Sequence, residues 1–225
     1  MFWPSLGFDD PHPPSLNALA LQHTPVMLEE VLRLLGCAPG KNFLDLTVGG
    51  GGHAERILHE TTPDGNLVGS DRDTEVLARA GERLRPFGHR VKLLYGSLRN
   101  VRETVAASNL DRIDGALIDC GLSSFQLDDA GRGFSFTRKG PLDMRMDRSS
   151  RLTAREFLMR ATPQKLADVI FEYGEERFSR RIAKVIIGAR EQQKLETTTD
   201  LRDAVRSAVP SAARNQRVDP ATRTF

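Results

Sequence analysis

Cysteine is scarce in this 225-residue chain, and its scarcity excludes two classes of protein. The two cysteines, Cys37 and Cys120, lie far apart and form no C-x-x-C pair. A disulfide framework needs several closely spaced cysteines, and a structural zinc site needs clustered Cys or His ligands. The sequence therefore predicts a reducing compartment and no metal site. We expect each cysteine to be a small buried apolar residue.

Long apolar runs and a targeting signal are also missing. No apolar run approaches the ~20 residues that cross a bilayer. Residues 1–22 contain no Lys or Arg, carry Asp9 and Asp10, and include four prolines, which fits neither a secretory signal nor a mitochondrial transit peptide. We expect a flexible N-terminal tail over residues 1–22, with Trp3 as an anchor, and a cytoplasmic location.

Basic charge is concentrated in the last third of the chain. Residues 1–147 hold 16 basic and 20 acidic side chains, whereas residues 148–225 hold 16 basic and 10 acidic ones. A basic part of this kind can bind a polyanion such as RNA. It can equally be a solvated, arginine-rich helical surface, and charge alone leaves both interpretations open.

The middle of the chain alternates between helix and strand patterns. Strands are predicted at residues 42–48, 67–70, 90–95 and 113–118, and helices at 26–35, 53–61, 74–84 and 98–108. This alternation indicates an α/β fold with a parallel sheet. Ligands bind such sheets at the carboxyl ends of the strands. Asp45, Asp71 and Asp119 all fall at or near those ends.

The alternation stops after Asp119. Residues 120–150 form a long loop in this prediction, and loops of that length are usually functional or disordered. Its aromatic residues and methionines argue against disorder. Helices follow at residues 154–161, 164–173, 175–192 and 199–209, and Thr153 with Glu156 makes a capping box for the first of them.

Four consecutive glycines, at positions 49–52, separate the first strand from the following helix. Glycine lets a ligand lie against bare backbone, and a helix start supplies amide donors and positive partial charge. Gly49, Gly51 and Ala54 match the G-x-G-x-x-A pattern of NAD-binding proteins. Asp45, however, favours S-adenosylmethionine (SAM), because its carboxylate would attract an ammonium group and repel a pyrophosphate. Simple capping remains an alternative role for Asp45, Asp71, Asp119 and His53.

Eight motifs, taken together in this order, resemble those of the RsmH (MraW) family, the SAM-dependent methyltransferases of a cytosine exocyclic amine in 16S ribosomal RNA. They lie at residues 23–28 (HTPVML), 49–53 (GGGGH), 71–73 (DRD), 119–128 (DCGLSSFQLD), 132–136 (RGFSF), 140–147 (GPLDMRMD), 173–178 (YGEERF) and 220–225 (PATRTF).

The resemblance implies a Rossmann-like methyltransferase domain over residues 23–124. It implies a loop and helical substrate-binding insertion over 125–215, and the start of the return to the main domain at 216–225. The expected partner is 16S ribosomal RNA or the small ribosomal subunit, with a homodimer possible. The family's cofactor-contacting positions correspond to Gly51, Gly52, His53, Asp71, Leu98, Asp119 and Gln126.

Three departures from the family pattern stand out. Leu98 replaces a phenylalanine, and Phe125 replaces the proline of Ser-Ser-Pro-Gln. Family members also continue past the motif at residues 220–225 and add further strands. We therefore expect a chain truncated relative to the family, with an apolar fourth strand open at the edge of the sheet.

Methyl transfer to a cytosine amine needs hydrogen-bond acceptors beside the reacting nitrogen, whose lone pair is delocalised into the ring. Asp119, Ser123 and Ser124 are the candidates. The base must be unstacked, and aromatic side chains can hold it while cationic ones bind phosphates. The candidate RNA contacts are Phe125, Arg132, Phe134, Phe136, Arg138, Lys139 and Arg145. The competing hypotheses are an NAD-dependent oxidoreductase, a small-molecule methyltransferase and a SAM- and RNA-binding protein without activity.

Overall fold

The structure is a computed structural model that describes residues 25–211 and 218–225. The predicted tail at residues 1–22, including Trp3, lies outside the described residues.

Four parallel strands form a sheet in the order β3-β2-β1-β4. They are β1 (Phe43–Asp45), β2 (Leu67–Asp71), β3 (Val91–Tyr95) and β4 (Gly115–Leu117). In the central strand, Leu44 pairs with Val68 of β2 on one side and with Ala116 of β4 on the other. This order matches the 3-2-1-4 part of doubly wound nucleotide-binding sheets. The predicted Rossmann-like α/β class is confirmed.

Helices cover both faces of this sheet. They are α1 (Leu28–Leu35), α2 (Gly52–Glu60), α3 (Thr74–Leu84) and α4 (Val101–Ser108), the last preceded by a 3-10 turn at Leu98–Asn100. Phe43 and Leu67 face one core, with residues of the first three helices, while Leu44 and Val68 face a second core that includes Val101 of α4. Because β1 is covered on both faces, all three of its residues are buried.

The first strand is shorter than the sequence pattern predicted. It ends at Asp45 because the backbone N–H of Thr47 donates to Asp45 Oδ1 at 3.1 Å, which starts a turn before the glycines. The fourth strand is likewise shorter than predicted and covers residues 115–117 instead of 113–118.

Residues after β4 contain one helix that the sequence prediction missed. α5 (Ser124–Asp128) begins at a capping box formed by Ser123 and Gln126, and a 3-10 turn follows at Ala130–Arg132. Four longer helices complete this part: α6 (Ala154–Arg160), α7 (Pro163–Glu172), α8 (Ser179–Glu191) and α9 (Thr198–Ala208). The predicted Thr153–Glu156 capping box is confirmed. α8 starts later than predicted because Glu175 adopts a positive φ of 50° in the preceding turn.

These helices have a core of their own. Leu166, Ile182, Ile186 and Val205 are buried at its centre, and Phe225 packs against it. We propose from the separate cores that the chain divides into a sheet unit and a helical unit, near the boundary at residue 124 that the sequence suggested.

The fourth strand lies at one edge of the sheet, as expected from the sequence. Within the described residues, no further strand pairs with its outer side, and Ile118 directly after it is 55% exposed. Among those same residues, no helix has the length and apolar character needed to cross a membrane.

Candidate cofactor and substrate site

A cavity of about 570 Å³ opens at the carboxyl ends of the strands. Its volume falls in the range of pockets that bind cofactors and other small ligands. The sheet unit supplies the strand ends and the glycine loop, and the segment from Asp119 to Gln126 supplies another part of the wall. The residues that line the cavity include Thr47, Gly49, Gly50, Gly52, His53, Asp71, Leu98, Asp119, Ser123, Ser124, Phe125, Gln126 and Met146.

The four glycines meet two different requirements. Gly49 and Gly51 have positive φ angles of 53° and 82°, which glycine adopts without strain. Gly50 and Gly52 are needed for space, because a Cβ there would lie 2.9 Å from the Phe125 ring and 2.7 Å from Pro25. The loop leads into α2, whose first turn has no side-chain cap. Its amides are therefore available to an anionic group of a ligand.

Asp71 is held in a fixed orientation at the end of β2. Its Oδ2 accepts a hydrogen bond from the Gly49 amide at 3.1 Å, and its Oδ1 accepts one from the Asp73 amide at 3.0 Å. Each carboxylate oxygen can accept more than one hydrogen bond. Asp71 therefore lines the cavity as an oriented acceptor for hydroxyl groups.

Asp45 lies beneath the cavity and is absent from its lining. Its side chain is 1% exposed, and burial raises its pKa to about 7, with further contributions from the nearby carboxylates of Asp71 and Asp119. The hydrogen bond from the Thr47 amide acts in the opposite direction. A cationic group bound above it would favour the charged form of Asp45 through space rather than by contact.

Asp119 and His53 stand on opposite sides of a short gap. The Asp119 amide donates to Thr47 Oγ1 at 2.7 Å, which fixes the backbone while the side chain remains 55% exposed. His53 Nε2 lies 3.0 Å from the Val26 carbonyl oxygen and so carries the hydrogen, which leaves Nδ1 as the acceptor in the neutral ring. Nδ1 is 3.9 Å from Asp119 Oδ2, too far for a hydrogen bond. His53 thus anchors the segment before α1.

The capping box of α5 orders the wall after Asp119. Gln126 Oε1 accepts from the Ser123 amide at 3.0 Å, and Gln126 Nε2 donates to Asp73 Oδ2 at 2.6 Å. Both the oxygen and the nitrogen of the Gln126 side-chain amide are therefore hydrogen-bonded within the protein. Ser123 and Ser124 remain at the cavity surface, close in sequence to Asp119.

The predicted RNA contacts are scattered, and the structure does not bring them all to the cavity. Phe125 lines the cavity, 44% exposed, with the Arg79 guanidinium 4.6 Å from its ring centroid. Phe136 instead packs against Phe225, with ring centroids 5.0 Å apart. Phe134 is partly buried beside Arg132.

Among the predicted cationic contacts, Arg138 and Lys139 are exposed. Arg145 is held by Asp143 at 2.7 Å. Arg132 requires a correction: it is 3% exposed and paired with Asp73, so its guanidinium has no open face for a phosphate.

Sequence reasoning also missed residues that shape the site. Thr47 fixes Asp119, and Asp73 joins α3 to α5; Thr47 lies outside the quoted motifs, and Asp73 lies in the motif at 71–73 but was given no role. Asp73 could have been recognised as a helix N-cap from its position before Thr74. The expectation of two buried cysteines was wrong for Cys120, which is exposed and lines the cavity, and Cys37 is only partly buried.

The chain has the features of a nucleotide-cofactor-binding domain of the Rossmann-like class: the order of the strands, the glycine loop and the oriented carboxylate of Asp71. The sequence profile of the MraW methylase family matches residues 20–225. The chain belongs to that family.

Its relatives include proteins named ribosomal RNA small subunit methyltransferase H. The one from Syntrophotalea carbinolica is 50% identical over 204 residues, and the one from Syntrophobacter fumaroxidans is 45% identical over 206 residues. The matches cover 91% and 92% of this chain but 65% of each relative. The chain thus spans a little under two thirds of their length. Membership of this family does not favour the NAD-dependent alternative.

Proposed function

We propose that this chain binds SAM and positions a cytosine of small-subunit (16S) ribosomal RNA for methylation of its exocyclic N4 amine. The observation that carries the proposal is the cavity at the strand ends, where Asp71 is oriented beside the glycine loop in a chain of the MraW methylase family. The names of the relatives support ribosomal RNA of the small subunit as the substrate class.

The residues of the cavity fit the chemical groups of SAM. The uncapped amides of the first turn of α2 suit a carboxylate. Asp71 suits ribose hydroxyls, and the 38% exposed side chain of Leu98 gives an apolar surface for a base. The carboxyl group of Asp45, buried beneath the cavity, favours a cationic group above it. Bound SAM supplies an activated methyl group.

Asp119 is the proposed acceptor for the cytosine amine. Its backbone is fixed by Thr47, and its exposed carboxylate faces the cavity from the end of the fourth strand. A carboxylate here accepts a hydrogen bond from the amine, orients the nitrogen and withdraws its proton as the nitrogen becomes cationic. The Ser123 and Ser124 hydroxyls are further acceptors on the same wall.

Phe125 is the best-placed side chain for the target base or its neighbour, because it is aromatic, half-exposed and at the cavity rim. Arg138 and Lys139 are exposed cations in the segment that follows. We propose that they contact RNA phosphates. A homodimer and a cytoplasmic location stay predictions.

The test is to incubate the protein with methyl-labelled SAM and either free 16S ribosomal RNA or small subunits, and to map the labelled nucleotide. We expect label on a cytosine N4. Asp119→Ala should reduce labelling at least 100-fold while SAM binding, measured by calorimetry, changes less than 10-fold. Asp111→Ala, which removes an exposed carboxylate away from the cavity, is the matched control. Undiminished labelling by Asp119→Ala would contradict its role, and SAM binding with no label on RNA would contradict the substrate.

A further inference from the structure

Arg132 makes an unusually complete set of contacts for a residue of a long connecting segment. Its terminal nitrogens donate to Asp73 Oδ2 at 2.6 Å, to Glu75 Oε2 at 3.1 Å, and to the carbonyl oxygens of Arg145 and Met146 at 2.9 and 3.0 Å. The planar guanidinium can serve several acceptors in fixed directions, which a lysine ammonium cannot do in the same geometry.

Asp73 receives these contacts at a junction of three elements. Its Oδ1 caps α3 by accepting from the amides of Glu75 and Val76 at 3.0 and 3.3 Å. Its Oδ2 accepts from both Gln126 and Arg132 at 2.6 Å. Burial alone would raise the pKa of Asp73, but the hydrogen bonds from Arg132 and Gln126 hold it below its ordinary value. The carboxylate is therefore charged at neutral pH.

Two residues of the cavity are hydrogen-bonded to this ion pair, and a third is hydrogen-bonded to the backbone of Asp73. Gln126 is bonded to the Asp73 carboxylate, Met146 to Arg132 through its carbonyl oxygen, and Asp71 to the Asp73 backbone amide at 3.0 Å. Gln126 lies on α5, Met146 on the segment before α6, and Asp71 at the end of β2. The ion pair thus sets the distance between the part of the cavity that comes from the sheet and the part that comes from the later segment.

A buried ion pair is weak evidence for stability, because desolvation of both charges offsets their attraction. Its other known use is to fix one arrangement of packed elements among several. We propose that Asp73 and Arg132 are positioning residues of the cofactor cavity, which hold Gln126 and Met146 in register with Asp71. This inference rests on the proposed binding of SAM, and it replaces the phosphate contact suggested for Arg132 by the sequence.

The experiment measures SAM binding by calorimetry and thermal unfolding for the whole chain and two variants. Arg132→Lys keeps the positive charge but loses the planar guanidinium, whose donors point in fixed directions. Asp73→Asn keeps an oxygen to cap α3, since Asn is a good N-cap, but turns an NH₂ group toward Gln126 and Arg132. We expect each variant to weaken SAM binding at least 10-fold at a temperature where far-UV circular dichroism shows a folded protein.

Arg90→Lys is the matched control. Arg90 also makes four hydrogen bonds within the sheet unit, to Gly65, Leu58, Thr61 and Thr62, but it does not line the cavity. The Arg90→Lys variant should have a lower melting temperature, and its affinity for SAM should change less than 2-fold.

The inference is overturned if Arg132→Lys or Asp73→Asn, whichever is folded, binds SAM as the unchanged protein does. It is also overturned if Arg90→Lys, at a similar drop in melting temperature, loses as much SAM affinity as the two variants do. Failure of the unchanged protein to bind SAM would instead remove the proposed function, and the inference with it.

Discussion

At the scale of single residues, the buried carboxyl group of Asp45 makes the stability of this molecule depend on pH. Its pKa of about 7 in the folded protein lies well above the ordinary value of 3.8, because the group is buried. Between these two pH values the folded state binds more protons than the unfolded state. The contribution of Asp45 to the free energy of unfolding is therefore greatest at acidic pH and is lost as pH rises toward 7 and above.

The Asp45→Asn variant should lack this contribution to the pH dependence. Asn can still accept the hydrogen bond from the Thr47 amide but cannot ionise. Relative to the unchanged protein, we expect the variant to become more stable by about 3 kcal/mol as the pH rises from 5 to 8, because roughly two units of the pKa shift of Asp45 lie in that interval. Urea unfolding at both pH values measures the difference. Parallel pH profiles for the two proteins would contradict the assigned burial effect.

Gly50 offers a second test at this scale. A methyl group in place of its hydrogen would lie 2.9 Å from the Phe125 ring, so that Gly50→Ala should displace this partly exposed ring and cost about 1 kcal/mol, at the low end for overpacking. Gly50→Ala combined with Phe125→Leu should recover part of that loss, because the smaller side chain leaves room. Urea unfolding of both single variants and the double variant gives the coupling. Additive effects would show that the two residues do not touch.

Individual residues also show which parts of the site can be predicted from the sequence. The acids Asp71 and Asp119 could be placed at one edge of the sheet because parallel strands end on the same side. Arg132 could not be assigned, since its partner Asp73 lies 59 positions earlier and no local pattern encodes that contact. The sequence of a long polar loop does not distinguish a cationic side chain that faces solvent from one that pairs with a buried carboxylate.

At the scale of elements, the helical unit depends on a close backbone contact at the end of α7. A Cβ added at Gly174 would lie 1.8 Å from the Arg223 carbonyl oxygen and 2.8 Å from that of Ile170. Backbone atoms cannot move aside as flexible side chains can. Glycine at this position therefore lets the 3-10 turn Pro220–Arg223 pack against the end of the helix.

Gly174→Ala should consequently detach that turn and lower the free energy of unfolding by about 1–3 kcal/mol or more. Hydrogen exchange should rise at the amides of Thr224 and Phe225, which both donate to the Ala221 carbonyl. Gly188→Ala is the control, because nothing lies within 4 Å of the added methyl group. In a helix it should be neutral or stabilising by up to about 1 kcal/mol. Equal losses in both variants would contradict the close contact.

Element prediction succeeded where periodicity was strong and failed where capping decided the structure. The apolar spacing of α3 and its stop before Pro86 gave its bounds of 74–84 directly. α5 has only five residues and no amphipathic repeat, so that only the Ser123–Gln126 capping box could have revealed it. The end of β1 likewise depends on a side chain that bonds the backbone two residues later.

At the scale of the whole molecule, the outer edge of β4 is a surface suited to association, because it is an unpaired strand edge within the described residues. Its neighbour Ile118 is 55% exposed, and the strand has no partner on that side within the part of the chain that is described. Unpaired strand edges favour pairing with another chain. We expect this 225-residue chain to associate with increasing concentration through that edge.

Ile118→Lys should reduce the association, because a charge on an edge strand opposes pairing. Sedimentation velocity over a series of concentrations measures it. Phe171→Lys is the control, since Phe171 is 59% exposed on α7 of the helical unit. Unchanged association of Ile118→Lys, or an equal reduction by the control, would rule out β4 as the interface.

The shared carboxylate of Asp73 also constrains when a newly made chain can capture its ligand. Asp73 and the glycine loop are synthesised early, but the guanidinium that Asp73 requires arrives 59 residues later, and Met146 later still. A nascent chain that has reached only β4 has all four strands of the sheet, yet the later wall of its cavity has not been made. We therefore expect ligand capture during translation to begin only after Met146 has left the ribosome.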